Sequence, residues 1–328
     1  MNRQLNIALV GNPNSGKSSL FNSLTGLNQK VGNFPGVTVD KKTGISKISE
    51  KISAKIIDLP GTYSLYPKRN DEWVTYKVLM DDDKEVKADI IVLIADASNL
   101  KRNLLFCSQI IDLKKPVVVA LTMMDIAKKN NIQVDIPGLE RELGILVIPV
   151  NPRKNKGISQ LKKAIEQTAE NINRIPERDF INANSFAPQA IKKVQNIFPD
   201  ISDYRAIHYL INHESFALEQ PVQEAIENIE IETNFNPSKT QAEEILQRYG
   251  KIKTIMQQTV VEKDPLHKAL FTQKLDDILL HRTWGYVILI GVLFLLFQSI
   301  FLLAQFPMDG IEWTFAKAGG WLGNVFPT

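Results

Sequence analysis

The chain has 328 residues, a length typical of about two domains, with 39 Lys and Arg against 36 Asp and Glu and a formal net charge of +3. This near balance of charge, with lysine pairs scattered along the chain, argues against a nucleic-acid-binding surface. A hydrophobic fraction of 44% excludes a mainly disordered chain. The single cysteine, Cys107, excludes a disulfide framework and lies in an apolar helical pattern, so we expect a buried thiol.

The first functional motif begins directly after an apolar run at residues 5–10. Residues 11–18 read Gly-Asn-Pro-Asn-Ser-Gly-Lys-Ser and fit the phosphate-loop pattern G-x-x-x-x-G-K-[ST] between a predicted strand and a predicted helix. Backbone N–H groups of such a loop point at phosphates, and the helix N-terminus adds a positive dipole end. We therefore expect Lys17 to neutralise β- and γ-phosphate charge and Ser18 to ligate Mg²⁺.

Alternating strands and helices predict the fold class. Apolar runs predict further strands at 43–49, 54–58, 89–95, 116–121 and 145–150, with helices around 72–80, 100–114, 137–143 and 158–172 between or after them. This order predicts an α/β fold with a mostly parallel sheet covered on both faces. The first two of these strands are too closely connected for a crossover helix, so one antiparallel edge strand is expected.

Two polar positions extend the predicted phosphate site. Asp58-Leu59-Pro60-Gly61 ends a predicted strand, where Asp58 can hold Mg²⁺ through water and the N–H of Gly61 can approach the γ-phosphate. Thr38 lies on the long connection before the edge strand, where its hydroxyl can complete the metal shell when a γ-phosphate is present. A loop threonine without a role remains the alternative for Thr38.

Asp125 follows the predicted strand 116–121 and is the candidate for base recognition. A carboxylate there can accept hydrogen bonds from the N1–H and 2-amino group of guanine, which adenine lacks. Asp is also a preferred helix N-cap, so a capping role is the alternative at this position.

The second half of the chain changes character. From about residue 188 to 270 apolar residues recur at helical spacing, as in Tyr204, Ile207, Leu210 and Ile211 and again in Ile245, Leu246, Tyr249 and Ile252, which predicts a small helical bundle. Residues 283–308 contain no Asp, Glu, Lys or Arg, and their densest part, 284–304, is roughly 31 Å long as a helix. That length predicts a transmembrane helix, with the chain up to about residue 282 in the cytoplasm.

The order of these motifs resembles that of a Ras-like P-loop GTPase, and their finer details narrow the resemblance. The phosphate loop, Val31-Gly32-Asn33-Phe34-Pro35-Gly36-Val37-Thr38-Val39 and Asp58-Leu59-Pro60-Gly61-Thr62-Tyr63-Ser64-Leu65 are similar to the ferrous iron transport protein B (FeoB) family. The helical insert also resembles that family's spacer of the nucleotide-dissociation-inhibitor type. The resemblance implies a G domain at 1–172, a helical spacer at 173–272 and a membrane-entry segment at 273–328.

The resemblance also implies site residues and departures from the family pattern. Thr62 stands where many GTPases carry a glutamine. The family resemblance instead suggests K⁺, which is held partly by Asn14. The alternative role for Asn14 is that of an amide that stabilises the loop. Thr122 replaces the usual asparagine of the guanine loop, and Pro152 has no N–H, which predicts looser base selectivity although Asp125 favours guanine. Arg69 and Arg102 are expected on the surface and not as arginine fingers. The residues expected at the nucleotide are Gly11, Asn12, Pro13, Asn14, Ser15, Gly16, Lys17, Ser18, Ser19, Asn33, Gly36, Val37, Thr38, Asp58, Pro60, Gly61, Thr122, Met123, Asp125, Asn151, Pro152 and Arg153.

The function implied is GTP hydrolysis that gates or drives Fe²⁺ uptake, with Asn14, Lys17, Thr38 and Gly61 as the catalytic group. GTP or GDP, Mg²⁺ (Ser18, Thr38, Asp58) and K⁺ (Asn14) are the expected cofactors. The expected setting is a multi-pass protein of the bacterial cytoplasmic membrane, with a small FeoA-like partner, self-association and no nucleic acid. A membrane-tethered signalling GTPase that acts on a protein partner is the alternative. The four histidines show no ligand spacing for iron.

Overall fold

The computed structural model describes residues 3–26, 29–33, 40–81, 83, 86–170, 175–262, 278–281 and 284–325. The chain forms two compact units, Met1–Lys263 and Asp264–Thr328.

The first unit is built on a seven-stranded sheet in the order β2-β3-β4-β1-β5-β6-β8. Strands β4, β1, β5, β6 and β8 run parallel, whereas β2 and β3 are antiparallel to their neighbours. The predicted antiparallel strand is β3, but it is not the edge, because the unpredicted β2 pairs along its outer side. The strands are β1 Arg3–Gly11, β2 Gln29–Asn33, β3 Asp40–Lys47, β4 Ile52–Asp58, β5 Ile90–Asp96, β6 Val117–Thr122, β7 Ile132–Val134, β8 Val147–Pro149 and β9 Val260–Glu262.

Helices cover both faces of this sheet, as the alternating pattern predicts. Central strands β5 and β6 are buried almost throughout, which is why they read as continuous apolar runs. On one face, Leu20 and Phe21 pack with Leu161 and Ile165. The helices of this first unit are α1 Lys17–Thr25, α2 Asn70–Leu79, α3 Leu100–Asp112, α4 Met124–Lys129, α5 Ile136–Leu143, α6 Ile158–Glu170, α7 Pro188–Ile197, α8 Asp203–Asn212, α9 Gln220–Thr233 and α10 Pro237–Thr259.

The helices α7 to α10 share a core with the opposite face of the sheet. Ile191, Ile207 and Ile252 belong to the same buried cluster as Leu93 and Phe106. Cys107, also in this cluster, is buried as predicted. The boundary predicted at 172/173 stays a prediction, and residues 171–174 lie outside the described part of the chain.

One detail of the helical pattern was wrong. Leu246, which the periodicity assigns to the apolar face of α10, is 71% exposed, whereas Glu244 and Arg248 on the same helix are fully buried. The buried face of α10 therefore includes an ion pair, in which the Nε of Arg248 donates to the carboxylate of Glu244 four residues earlier.

The short strands β7 and β9 pair antiparallel and hold the end of α10 against the segment between α4 and α5. Neither strand was predicted, since three residues carry too little pattern. In the second unit the structure describes one long helix, α11 Trp284–Val325. Among the residues described, no helix is long and apolar enough to cross a membrane, so the transmembrane helix predicted at 284–304 is not confirmed.

Candidate functional site

The phosphate loop connects β1 to α1 as the motif predicts. Gly16 occupies the N-cap of α1 with φ 91°, a left-handed conformation that favours glycine. A Cβ on Gly11 would lie 2.5 Å from the carbonyl oxygen of Ile94, so no side chain fits there. The two glycines thus allow the loop to turn sharply and to lie close against β5.

Lys17 and Asp58 form an ion pair at the centre of the site. Strands β1 and β4 are parallel with Leu9 opposite Asp58, which brings the end of β4 beside the phosphate loop. There the Nζ of Lys17 donates to a carboxylate oxygen of Asp58, and the two side chains are only 13% and 7% exposed. Both charges are therefore held in a confined position.

The segment after Asp58 runs along the phosphate loop. The backbone N–H of Thr62 donates to the carbonyl of Gly11 at 3.2 Å, and a Cβ on Gly61 would lie 3.1 Å from the backbone nitrogen of Pro13. A side chain on Gly61 would therefore push the two segments apart by a few tenths of an ångström. The Thr62 hydroxyl donates to the carbonyl of Ser64 at 2.8 Å and is buried, so this side chain is already engaged within its own turn.

Thr122 braces the phosphate loop from the end of β6. Its hydroxyl oxygen lies 2.7 Å from the carbonyl oxygen of Ser15 and 3.1 Å from that of Ala95, and the residue is buried. The family's asparagine is expected to perform this bracing, and here a threonine hydroxyl provides it. A single hydroxyl cannot also extend to a base, so only one of the two roles implied for that asparagine is filled.

Asp125 lies in the first turn of α4 and is exposed. The N-cap of α4 is Met123, in a left-handed conformation with φ 57°, and no side chain caps the helix. The capping alternative for Asp125 therefore does not hold, and its carboxylate faces solvent.

The last predicted loop forms a 3₁₀ turn at Pro152–Lys154. The side-chain oxygen of Asn151 accepts from the N–H of Lys154 at 3.2 Å, so Asn151 closes its own turn. The carbonyl of Pro152 accepts from the Ser23 hydroxyl at 3.1 Å, which ties this loop to α1.

A cavity of about 630 Å³ joins most of these parts. Lys17, Ser18, Gly61, Met123 and Arg153 all border it, whereas Asp125 does not. Sequence reasoning missed Asp71 in this lining and placed Arg69 on the surface without linking it to the site. Its lining residues are Asn12, Pro13, Asn14, Gly16, Lys17, Ser18, Ser19, Gly61, Arg69, Asp71, Met123 and Arg153.

Some predicted site residues have no described geometry. Gly36, Val37 and Thr38 lie outside the described residues, as does the side chain of Asn33. Among the described residues, no group of three or more His, Cys, Asp or Glu side chains is arranged to hold a metal ion.

The strand order, the phosphate loop and the Asp58–Gly61 segment together define a P-loop GTPase fold. Residues 5–165 match the family model described as "Ferrous iron transport protein B". The chain is 35% identical over 342 residues to the Fe(2+) transporter FeoB of Leptospira biflexa, covering 98% of this chain and 47% of the relative. It thus spans about half the length of the curated relatives it matches.

Solved structures agree with this assignment. The cytosolic domain of L. pneumophila FeoB is 33% identical, with a TM-score of 0.60 over 78% of this chain and 99% of that one. The cytosolic domain of the T. maritima FeoB iron transporter in a GDP form is 28% identical, with a TM-score of 0.65 over 79% of this chain and 100% of that one. The chain belongs to the FeoB family.

Proposed function

We propose that this chain binds and hydrolyses GTP as the cytoplasmic part of a ferrous iron transporter, in which hydrolysis gates or drives Fe²⁺ uptake. The observation that carries the proposal is the cavity bordered by the phosphate loop and Gly61, in which the lining residue Lys17 pairs with the buried Asp58. The relatives named Fe(2+) transporter FeoB support the transport role, and no feature of the described residues favours the signalling alternative.

The phosphates of the nucleotide occupy the loop that joins β1 and α1. Lys17 supplies positive charge to the β- and γ-phosphates, and the loop N–H groups surround them. Gly61, close to Pro13, offers its N–H to the terminal phosphate. The GDP form of the T. maritima relative supports a guanine nucleotide, which the exposed Asp125 carboxylate recognises.

Mg²⁺ fits the oxygen donors at this site. Asp58 keeps a buried carboxylate at the end of β4, where it contacts Lys17, and Ser18 lines the cavity beside Lys17, so Asp58 and Ser18 would hold the ion together with Thr38. When bound, Mg²⁺ neutralises charge on the β- and γ-phosphates. With a nucleotide in the site, Lys17 would turn from the Asp58 carboxylate to phosphate oxygens, and the Asp58 carboxylate would then be available to hold the ion through water.

K⁺ fits Asn14 as one oxygen donor. Asn14 is exposed, lines the cavity and has a left-handed backbone with φ 64°. Bound there, K⁺ would supply positive charge at the phosphates. Because the Thr62 hydroxyl is engaged with Ser64, no side chain at that position orients the attacking water.

The wider setting extends the proposal. Residues up to about 282 lie on the cytoplasmic side of a bacterial cytoplasmic membrane, and helices α7 to α10 relay nucleotide-dependent changes toward the transport part. A FeoA-like partner and self-association remain predictions of the family resemblance.

The decisive experiment measures nucleotide binding and hydrolysis by the full chain, with GTP and ATP compared in KCl and in NaCl at equal ionic strength. We expect a preference for GTP, stimulation by K⁺ that Asn14→Ala abolishes, and loss of binding in Lys17→Ala. Lys47→Ala is the matched control, because Lys47 pairs with Glu50 on the surface, outside the cavity. Equal binding by wild type and Lys17→Ala would refute the nucleotide site, and unchanged iron uptake by a complete transporter carrying Lys17→Ala would refute the coupling.

A further inference from the structure

Arg69 borders the same cavity as the phosphate loop. It lies between the Asp58–Gly61 segment and α2, and it is one of the residues that line the cavity together with Lys17, Ser18 and Gly61. The side chain is 58% exposed, so it is accessible to a ligand in the cavity. Of the described residues that line this cavity, the cations are Lys17, Arg69 and Arg153.

Two carboxylates hold Arg69 in place. Glu72 accepts from Nε at 3.3 Å and from Nη2 at 3.2 Å, and its other oxygen accepts from the backbone N–H of Lys68 at 2.8 Å. Glu72 is buried, so it forms a fixed anchor at the start of α2. Asp71 lies 3.4 Å from Nη2 and is more exposed.

The contacts with Glu72 and Asp71 leave part of the Arg69 guanidinium available to donate further hydrogen bonds. A guanidinium carries five N–H groups, and the contacts recorded among the described residues use Nε and Nη2. The Nη1 edge therefore remains for a ligand in the cavity. Arginine binds phosphate oxygens through two parallel hydrogen bonds, which a lysine cannot reproduce.

A triphosphate carries one more charged phosphate than a diphosphate, and Lys17 is already assigned to both the β- and γ-phosphates. The Thr62 side chain supplies no contact there, because its hydroxyl donates to the carbonyl of Ser64. We propose that Arg69 binds the terminal phosphate of the nucleoside triphosphate and thereby favours the triphosphate over the diphosphate. This inference rests on the proposed nucleotide site. Asp71, the more exposed of its two carboxylate partners, exchanges places with the doubly charged phosphate, while Glu72 keeps the guanidinium in position.

The test compares affinities of the full 328-residue chain for GDP and for the non-hydrolysable analogue GMPPNP in the presence of Mg²⁺. Arg69→Ala is expected to weaken GMPPNP binding about ten- to hundredfold, as for loss of a charge-assisted hydrogen bond, and GDP binding less than about twofold. Arg69→Lys is expected to recover only part of the loss, because it keeps the charge without the forked geometry. Lys68→Ala is the matched control. It removes the same charge one position earlier in the chain, and Lys68 does not line the cavity. We expect it to leave both affinities unchanged.

Several outcomes would overturn the inference. Equal weakening of GDP and GMPPNP, or the same effect in Lys68→Ala, would mean that only general charge or local structure matters. Because Arg69 precedes α2, a melting curve and a second variant, Arg69→Gln, separate misfolding from a lost contact: a well-folded Arg69→Gln with wild-type affinity for GMPPNP refutes the inference alone. Wild-type chain that binds neither nucleotide refutes both this inference and the proposed function.

Discussion

Replacing Arg248 with alanine tests the buried ion cluster that connects α10 to α3. The guanidinium of Arg248 is fully buried, with Nη1 2.7 Å from a carboxylate oxygen of Asp112 and Nε bonded to Glu244. Its charged carbon lies 4.6 Å from the ring centre of Tyr204, a cation–π distance. One cation thus balances two buried carboxylates, one on each helix.

The expected loss follows from leaving these carboxylates unpaired. Removing one partner of a buried ion pair costs about 3–5 kcal/mol, because the remaining charge stays out of water. Domains of this kind are stable by only about 5–15 kcal/mol, so Arg248→Ala removes a large share of the total. The backbone N–H of Phe180, which donates to Asp112 at 2.6 Å, offsets only part of this cost.

The pH dependence has a definite sign. Burial raises the pKa of Asp112, and the charge of Arg248 opposes that shift. Without Arg248 the native-state pKa rises further, so the folded form binds protons more tightly than the unfolded form. Stability then falls as pH rises through that pKa, and the deficit of Arg248→Ala relative to wild type shrinks as the pH is lowered from 7 toward the unfolded-state pKa of about 4.

Urea unfolding of residues 1–263 measures this loss through the fluorescence of Trp73, the single tryptophan in that part of the sequence. Lys193→Ala is the control, because it breaks an exposed pair with Glu232 and is expected to cost about 0–1 kcal/mol. The triple variant Arg248→Met, Asp112→Asn, Glu244→Gln is expected to recover most of the loss, since it leaves no buried charge. A deficit in Arg248→Ala no larger than that of the control, or one that does not change with pH, would refute the reasoning.

Three further predictions concern the site and the core. Thr122→Val leaves the carbonyls of Ser15 and Ala95 without the hydroxyl and is expected to weaken nucleotide binding about tenfold by calorimetry, whereas Thr122→Ser keeps wild-type affinity. Gly61→Ala places a Cβ 3.1 Å from the nitrogen of Pro13 and is expected to lower the GTPase rate at least about tenfold while the melting temperature stays near wild type; an unchanged rate contradicts the close approach. Burial raises the pKa of the Cys107 thiol to about 12, so a thiol reagent at pH 8 is expected to label the chain only in urea, and labelling of the native chain contradicts this.

The sequence predicted those parts of the site that follow local rules. A phosphate loop requires specific residues at fixed spacing, and a carboxylate at the end of a parallel strand must lie near the loop of its neighbour. Lys17 and Asp58 were therefore both expected at the site, Lys17 at the phosphates and Asp58 at Mg²⁺, whereas the ion pair between them was not predicted. The brace from Thr122 was not predicted, because a hydroxyl contact across two strands depends on register. Arg69 was placed on the surface, which its exposure agrees with, but its position at the cavity follows from how α2 packs.

In the helical half, the spacing of apolar residues predicted the helices but not which side chains they bury. Apolar spacing located α10, yet it assigned Leu246 to the buried face and gave no reason to bury Arg248. Charged residues enter a core only with a partner, and the partner Asp112 lies on a distant helix. Only the folded structure, which brings α3 and α10 together, makes that burial understandable.

The same packing ties the chain after Asp58 to the helical half. The carbonyl of Pro60 accepts from the Thr75 hydroxyl at 2.7 Å, and the Leu65 N–H donates to the side chain of Gln109 at 2.8 Å. Tyr66, next along the chain, stacks on the ring of His208 in α8 at 5.2 Å. Burial lowers the pKa of His208 to about 3, so this ring stays neutral near pH 7, with its Nδ1 3.3 Å from the hydroxyl of Tyr76 on α2.

A shift of the Asp58–Gly61 segment therefore meets resistance from packed groups on α2, α3 and α8. Movement that keeps these contacts must carry the helices with it, because close-packed interiors do not absorb displacements continuously. Helix α10 is the last helix of the first unit and leads directly into β9. Strand β9 pairs with β7, which follows α4, the helix that carries Asp125. The Asp58–Gly61 segment and the chain just beyond α4 are thus each packed against the helical half, the first through contacts with α2, α3 and α8 and the second through the β7–β9 pair.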